Sequence, residues 1–280
     1  MGYAQAAQEV KTRVLLPQGS APWRKLRRAQ TTRAKDLLED VPAAALPHND
    51  AARRFWSQRA WSEYAAIPAI SQVVLALVRE GASLQTLGAY VSIAADEVRH
   101  ALLSRELADR LGGYDEEVPE GLEYAPQGLA DFSDVGAAVW ALANGCFSET
   151  VSLELIRARH AGTKQPVVRR VLAETLKDEA VHVRVAWQLA EELLPKLPPS
   201  QRRELWDYGE DLGQMMRRTF GTQGLPVAAQ RRERKMRNET ARAGLGALDA
   251  AQEDAIVDAA LASISIRLAK LGVRKQARVR

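Results

Sequence analysis

Two copies of one short stretch decide the fold of this chain: Asp96-Glu97-Val98-Arg99-His100 and Asp178-Glu179-Ala180-Val181-His182. Each copy contains a glutamate and, three residues later, a histidine. Residues three apart lie on one face of an α-helix, so a carboxylate and an imidazole project together from each copy. Both copies lie within long runs of helical apolar spacing, which predicts that each belongs to a long helix.

A single glutamate precedes each copy in another helical segment. These lone glutamates are Glu63 before the first copy and Glu149 before the second. Glu63 lies in the middle of an apolar stripe, where a surface glutamate is not expected. The four segments therefore carry Glu, Glu-x-x-His, Glu and Glu-x-x-His in order. Two such helical hairpins, paired face to face, would bring four glutamates and two histidines together, as in a dinuclear site within a four-helix bundle.

Caps and helix breakers give the boundaries of four predicted helices. Pro68 falls inside the first helix and is expected to kink it, because proline removes one backbone hydrogen bond. The polar stretch from Gly113 to Gly128 is long enough to cross the bundle from end to end between the second and third helices. The predicted helices run from Asp50, as the N-cap, to Glu80, from Ser83 to Gly112-Gly113, from Asp131 or Ser133 to His160, and from Pro166 to Leu194.

The chain is therefore predicted to be all-α and to have three parts. Residues 1–50 form an N-terminal arm, residues 51–195 the four-helix bundle, and residues 196–280 a C-terminal helical extension. Within the extension, helical patterns cover Ser200–Phe220 and Asp249–Leu271, with a polar and basic stretch between them. The arm and the extension are expected to add helices that cover the bundle, and the extension is alternatively a dimer surface.

Composition and charge limit the classes of function. Hydrophobic residues make up 46% of the chain, which permits a sizeable core, and the single cysteine excludes an intramolecular disulfide or a thiolate cluster. The N-terminus has no apolar run of signal-peptide length, and no stretch is judged long enough to span a membrane. We therefore expect a cytoplasmic protein with no membrane partner. The net charge of +4 is concentrated in a few basic clusters, which we interpret as solvated surface, so a nucleic-acid partner is not favoured.

The ligand chemistry predicts metal cofactors. Four buried carboxylates without a cation would be very costly, and two divalent ions would balance their charge. Oxygen ligands with one imidazole per metal suit iron or manganese better than zinc, which prefers fewer ligands and more nitrogen or sulfur. The sequence therefore predicts two iron ions, or a manganese and an iron ion, as cofactors.

This arrangement resembles the ferritin-like di-iron carboxylate superfamily over residues 51–195, because two Glu-x-x-His motifs and two correctly interposed glutamates recur there. The resemblance implies a ferritin-like four-helix bundle with a long crossover between helices 2 and 3. It also implies that Glu97 and Glu179 bridge the two metals. By the same resemblance, the ligands are Glu63, Glu97 and His100 for one metal and Glu149, Glu179 and His182 for the other.

The aspartate that precedes each motif glutamate extends the resemblance. In the bacterial multicomponent monooxygenases, an aspartate at this position hydrogen-bonds a ligand histidine across the bundle, which fixes the histidine's tautomer. The resemblance implies that Asp96 pairs with His182, and Asp178 with His100; a solvated helix surface is the alternative. The N-oxygenases that oxidise arylamines have an additional histidine where this chain has Thr175. A seventh protein ligand is therefore not expected.

The resemblance implies a di-iron oxidase or oxygenase that uses dioxygen to oxidise a small-molecule substrate. An electron-donor protein is a further implied partner, and a homodimer is one assembly to consider. Tyr90, Cys146 and Thr175 lie one or two turns from a ligand on an inward face, so we predict that they line a substrate pocket; ordinary core packing is the alternative for Tyr90 and Cys146. Three other functions remain open: a ferroxidase or iron-handling protein, a tRNA-modifying hydroxylase of the same superfamily, and a purely structural helical protein.

Overall fold

The computed structural model describes residue 38, residues 46–115 and residues 136–274. Within these ranges all regular secondary structure is helical and no strand occurs, which confirms the all-α prediction. The elements are α1 (Asp50–Arg79), α2 (Leu84–Arg110), α3 (Ala137–Trp140), a π-helix (Ala141–Glu149), α4 (Thr150–Gly162), α5 (Pro166–Leu193), a 3-10 turn (Leu194–Lys196), α6 (Pro199–Thr219), α7 (Val227–Ala243) and α8 (Ala250–Lys270).

Helices α1 and α2 form a hairpin. The side chain of Asn49, not of the predicted Asp50, caps α1 by accepting a hydrogen bond of 2.9 Å from the backbone N–H of Ala52. Asn49 has the extended backbone that a cap requires, whereas Asp50 is already helical. Ser83 caps α2, which therefore begins near the predicted residue. The short connection makes the two helices antiparallel neighbours in extensive contact, and α1 remains one helix through Pro68.

The third predicted helix is divided into three consecutive elements. Its predicted start at Asp131 or Ser133 lies outside the described residues. From α3 the chain passes into the π-helix, which ends at Glu149, and continues as α4. A π-helix hydrogen-bonds each residue to the fifth along, so residues roughly four to five apart share a face instead of three to four apart. The prediction of one continuous α-helix is therefore wrong. The residues that share a face with Glu149 differ from those that an α-helix would place there.

The two described ends of the connection between α2 and α3 lie near different parts of α1. At one end the backbone N–H of Asp115 donates to Ser57 Oγ at 3.0 Å, and at the other the backbone N–H of Ala137 donates to Glu80 Oε1 at 2.5 Å. Ser57 and Glu80 are about 35 Å apart along a helix that rises 1.5 Å per residue. The two described ends of the connection are therefore separated by most of the length of α1.

The C-terminal helices pack against the preceding ones. α7 contacts α1, α8 contacts α4, and α6 contacts the π-helix. The indole N–H of Trp56 on α1 donates to the carbonyl of Leu245 at 2.9 Å, which joins α1 to the turn after α7. Helix α7 lies in the polar and basic stretch for which no helix was predicted. It buries Met236, Arg237 and Thr240 on one face, and this tertiary packing stabilises a helix that has no apolar stripe in its sequence.

Helix α1 meets a test of length and composition for a membrane-spanning helix, with a mean hydropathy of 1.3 over an 18-residue window. By these two criteria, the expectation that no stretch is long enough to span a membrane is wrong. A core helix can meet the same test, and α1 buries its inner face against α2 and α7. Its outer face exposes Leu75 and Val78, and α2 likewise exposes Leu84 and Val91.

Candidate metal centre

The structure brings the six predicted ligands together in the interior, and all six are buried. Four elements supply them: α1, α2, the π-helix and α5. Their ligand atoms form two overlapping sets, and within each set all atoms lie within 4.8 Å of one another. Glu97 and Glu179 belong to both sets and therefore lie between two candidate metal positions. The sets are Glu63, Glu97, His100 and Glu179, and Glu97, Glu149, Glu179 and His182.

Both histidines turn the same ring nitrogen toward the carboxylates. His100 Nδ1 lies 3.4 Å from Glu97 Oε2, and His182 Nδ1 lies 3.2 Å from Glu97 Oε1 and 3.4 Å from Glu149 Oε2. These contacts lack the geometry of hydrogen bonds, so neither Nδ1 atom makes one among the described residues. The same holds for one oxygen each of Glu63, Glu97 and Glu179, although the Glu63 oxygen forms an ion pair with Arg59. Buried polar atoms are nearly always paired in proteins. Carboxylate oxygens and ring nitrogens that converge from several helices without hydrogen bonds could instead bind cations.

The opposite ring nitrogen of each histidine contacts an aspartate from the other half of the site. His100 Nε2 lies 3.1 Å from Asp178 Oδ2, and His182 Nε2 lies 3.3 Å from Asp96 Oδ2. These are the pairs that the resemblance implies. Burial opposes protonation of His100, but its hydrogen bond with Asp178 and its contact with the Glu97 carboxylate raise its pKa to about 9. An aspartate at Nε2 holds that nitrogen protonated and leaves Nδ1 as the one that can bind a metal.

Arg99 joins the two aspartates, a role that its position in the sequence does not predict. Its Nη1 atom lies 2.9 Å from Asp96 Oδ1, and its Nη2 atom contacts Asp178 Oδ2. A continuous polar chain therefore runs from His182 through Asp96, Arg99 and Asp178 to His100. Arg99 lies inside the first Asp-Glu-x-x-His stretch, one residue before the histidine, but the second stretch has valine at the equivalent position. Only the tertiary contact shows that one arginine serves both halves.

The carboxylates repel one another when no cation is present. Burial raises the pKa of Glu63 to about 7, although Arg59 acts in the opposite direction. Burial, followed by the negative charges of Glu149 and Glu97, raises the pKa of Glu179 well above its ordinary value. The cluster therefore retains protons that divalent ions would displace.

A small cavity adjoins the half of the cluster that contains Glu149 and His182. It has room for about one water-sized molecule, because the centre of such a molecule can occupy a volume of about 10 Å³. Its lining combines apolar side chains with a few polar groups. The lining residues are Ile70, Val73, Tyr90, Ile93, Asn144, Gly145, Glu149, His182 and Ala186.

Of the three residues predicted to line a pocket, the structure places Tyr90 in this cavity and the other two elsewhere. Cys146 is buried in the core, with its Sγ atom 3.8 Å from the carbonyl of Ala186. The π-helix explains this, because it turns the residues four and five before Glu149 toward the ligand, not the residue three before. Thr175 is also buried, and its hydroxyl donates to the carbonyl of Val171 at 3.2 Å.

Comparison with known proteins gives no match to this chain. No protein-family model, no curated protein and no solved structure matches it. The functional assignment therefore depends on the chain's own residues and their geometry.

Proposed function

We propose that the buried cluster holds two iron ions, or a manganese and an iron ion, and that the chain is a ferritin-like di-metal protein. We further propose that it uses dioxygen to oxidise a small organic substrate. The observation that carries the proposal is the pair of overlapping ligand sets, which share Glu97 and Glu179 and contain one inward histidine Nδ1 each. When bound, the metal pair supplies open coordination positions and electrons for the reaction with dioxygen.

The protein's own part is to assemble, neutralise and orient the ligands. Four glutamates carry the charge that balances two divalent ions, and their burial excludes water that would compete for the metals. Asp96 and Asp178 fix the histidine rings, and Arg99 fixes both aspartates. Ser152 donates its hydroxyl hydrogen to Glu179 Oε1 at 3.3 Å, which restrains that shared carboxylate. All these groups come from helices, which hold a site more rigidly than loops do.

The fold also supports the ferritin-like part of the proposal. The ligands follow the order Glu, Glu-x-x-His, Glu, Glu-x-x-His along α1, α2, the π-helix and α5. The described ends of the connection between α2 and α3 are separated by most of the length of α1, which fits the crossover of a ferritin-like bundle.

Metal loading tests the proposal directly. The metal-free protein is loaded with ferrous iron without oxygen, freed of excess metal and measured by elemental analysis. We expect two ions per chain in the wild type, and the same in the exposed control Glu192→Ala on α5. The oxygen consumed per chain is then measured with and without candidate organic substrates. One ion or none per chain would contradict the proposal.

A ferroxidase is the second candidate function, and the size of the cavity favours it. The cavity beside the cluster admits a water-sized molecule, and an organic substrate would need considerably more space. Repeated ferrous additions in air separate the two functions. A ferroxidase would oxidise many iron ions per chain to a ferric mineral, whereas an oxygenase would stop after its own pair and respond to substrate.

A further inference from the structure

The two halves of the cluster differ at the residue four positions before each lone glutamate. This residue is Arg59 before Glu63 and Gly145 before Glu149. The largest basic side chain therefore occupies a position where the other half of the internal repeat has no side chain. The consequence appears in the space around each candidate metal position.

Arg59 closes the space beside Glu63. Its Nη2 atom contacts Glu63 Oε1, and the side chains of both residues are more than nine-tenths buried. The two residues are one turn apart on α1, where an arginine and a glutamate face the same way. The guanidinium therefore occupies the space next to Glu63 on this side of the cluster.

Gly145 leaves space beside Glu149. The π-helix turns Asn144 and Gly145 toward the face of Glu149, and both line the cavity. A Cβ atom at position 145 would collide with the Cβ atom of Ala186 on α5, so only glycine permits this close approach of the two helices. Glu149 and His182 line the cavity, whereas Glu63 and His100, which belong only to the other set, do not.

Tyr90 gives the cavity a polar group. Its side chain is 98% buried, and its hydroxyl has no hydrogen-bond partner among the described residues. The hydroxyl oxygen lies 3.8 Å from the position that a Cβ atom on Gly145 would take, which places it at the Gly145 wall of the cavity. A buried hydroxyl without a partner is costly, and a ligand in the cavity would accept its hydrogen.

We propose that a small uncharged ligand of one or two heavy atoms reaches the metal pair from this cavity alone. It binds at the metal held by Glu149 and His182 and accepts a hydrogen bond from Tyr90, while Arg59 closes the half that contains Glu63. The apolar walls of Ile70, Val73 and Ile93 favour a neutral molecule. This inference rests on the proposed function, because it requires metals at the cluster.

Nitric oxide tests the inference, because it is a neutral diatomic molecule that binds ferrous iron. The ferrous-loaded protein is titrated with nitric oxide without oxygen, and binding is followed by absorption and by the infrared N–O stretch. We expect one nitric oxide per two iron ions. Val73→Ile adds one methylene group to the wall of a cavity that holds about one water-sized molecule. We therefore expect the affinity for nitric oxide to fall at least about tenfold, while the iron content stays at two ions per chain.

Two further variants and one control complete the design. Val257→Ile makes the same change in the core under α8, away from the cluster, and should leave nitric oxide binding unchanged. Tyr90→Phe keeps the shape of the ring and should lower the affinity by about threefold to tenfold and shift the N–O stretch. Arg59→Met should allow a second nitric oxide to bind. If Val73→Ile impairs folding, Tyr90→Phe still gives a result.

The outcomes separate the two proposals. If no iron loads, the proposed function is wrong. If two ions load but the wild type binds two nitric oxide molecules per pair, the proposed function stands and the one-sided cavity is wrong. Unchanged binding in both Val73→Ile and Tyr90→Phe would likewise overturn the cavity assignment.

Discussion

The Nε2 atom of His182 on α5 lies 3.3 Å from Oδ2 of Asp96 on α2. His182 belongs to the second half of the internal repeat and Asp96 to the first, so this contact crosses between the halves. The mirror contact joins His100 to Asp178. Each half therefore orients the histidine of the other.

The crossed pairs predict specific damage when an aspartate is neutralised. Asp178→Asn should weaken binding at the metal position that contains His100, and Asp96→Asn at the position that contains His182, each by about 10–100-fold. The reason is that the histidine loses the carboxylate that fixes its ring and tautomer. Metal affinities are measured by competition with a chelator, and Asp207→Asn on the exposed face of α6 is the control. Equal affinities in wild type and both variants would show that these contacts do not orient the ligands.

Arg99 should affect both metal positions, unlike either aspartate. Arg99→Met removes the cation between Asp96 and Asp178, so both histidines lose part of their support. We expect weaker binding of both metals and a loss of about 2 kcal/mol in the free energy of unfolding of the metal-free protein. Chelator competition and urea unfolding measure the two effects. Arg169→Met, at an exposed position on α5, should change neither; damage at one metal only would contradict the shared role.

Substitution of a shared glutamate should reduce the number of bound metal ions more than substitution of an unshared one. Glu97→Ala and Glu179→Ala each remove a residue common to both sets, so we expect no stable metal binding in either variant. Glu63→Ala and Glu149→Ala each remove an unshared ligand and should leave about one ion per chain. Elemental analysis after ferrous loading gives the counts. Equal losses in all of these variants would contradict the overlapping arrangement.

The same site predicts a gain in stability when a shared carboxylate is neutralised. Burial and the charges of Glu149 and Glu97 raise the pKa of Glu179, so its ionisation opposes folding at neutral pH. Glu179→Gln should therefore raise the free energy of unfolding of the metal-free protein, although it weakens metal binding. Urea unfolding at pH 7 in the presence of a chelator measures this. A less stable metal-free variant would mean that Glu179 is well solvated or paired.

Glu253 on α8 predicts the pH dependence of a structural ion pair. Its carboxylate accepts hydrogen bonds of 2.7 Å from both Arg159 and Arg237, and all three side chains are buried. Burial alone would raise the pKa of Glu253, but the two arginines lower it below its ordinary value. Glu253→Gln leaves the buried Arg159 without its carboxylate partner and leaves Arg237 with only Glu233, at 3.6 Å, so we expect a loss of about 3 kcal/mol in the free energy of unfolding near pH 7.

The sign of that pKa shift fixes the pH range of the effect. A carboxyl group with a lowered folded-state pKa stabilises the protein above its unfolded-state pKa of about 4.3 and loses this contribution as the pH falls through the folded-state value. The difference between wild type and Glu253→Gln should be constant from about pH 6 to 8 and decrease below about pH 4. Urea unfolding across this range measures it, with the exposed Glu204→Gln as the control. A difference that grows as the pH falls would contradict the assignment.

The sequence by itself determined the all-α class, most helix boundaries and the set of buried carboxylates and histidines that could bind a metal. These follow from local rules, because a spacing of three places Glu97 and His100 on one helical face, and caps such as Ser83 act within one turn. The cap of α1 was wrong by one residue because Asn49 and Asp50 are both good caps, and only the backbone conformation distinguishes them.

Only the tertiary structure decided how the two halves meet. The π-helix before Glu149 has no local signature in the sequence, and it brings Gly145 to the cavity and turns Cys146 away. Helix α7 likewise depends on burial against α1, since its own residues lack an apolar stripe. Arg99 contacts an aspartate 79 residues away on another helix. Such contacts depend on how helices pack in space, which spacing along one helix does not determine.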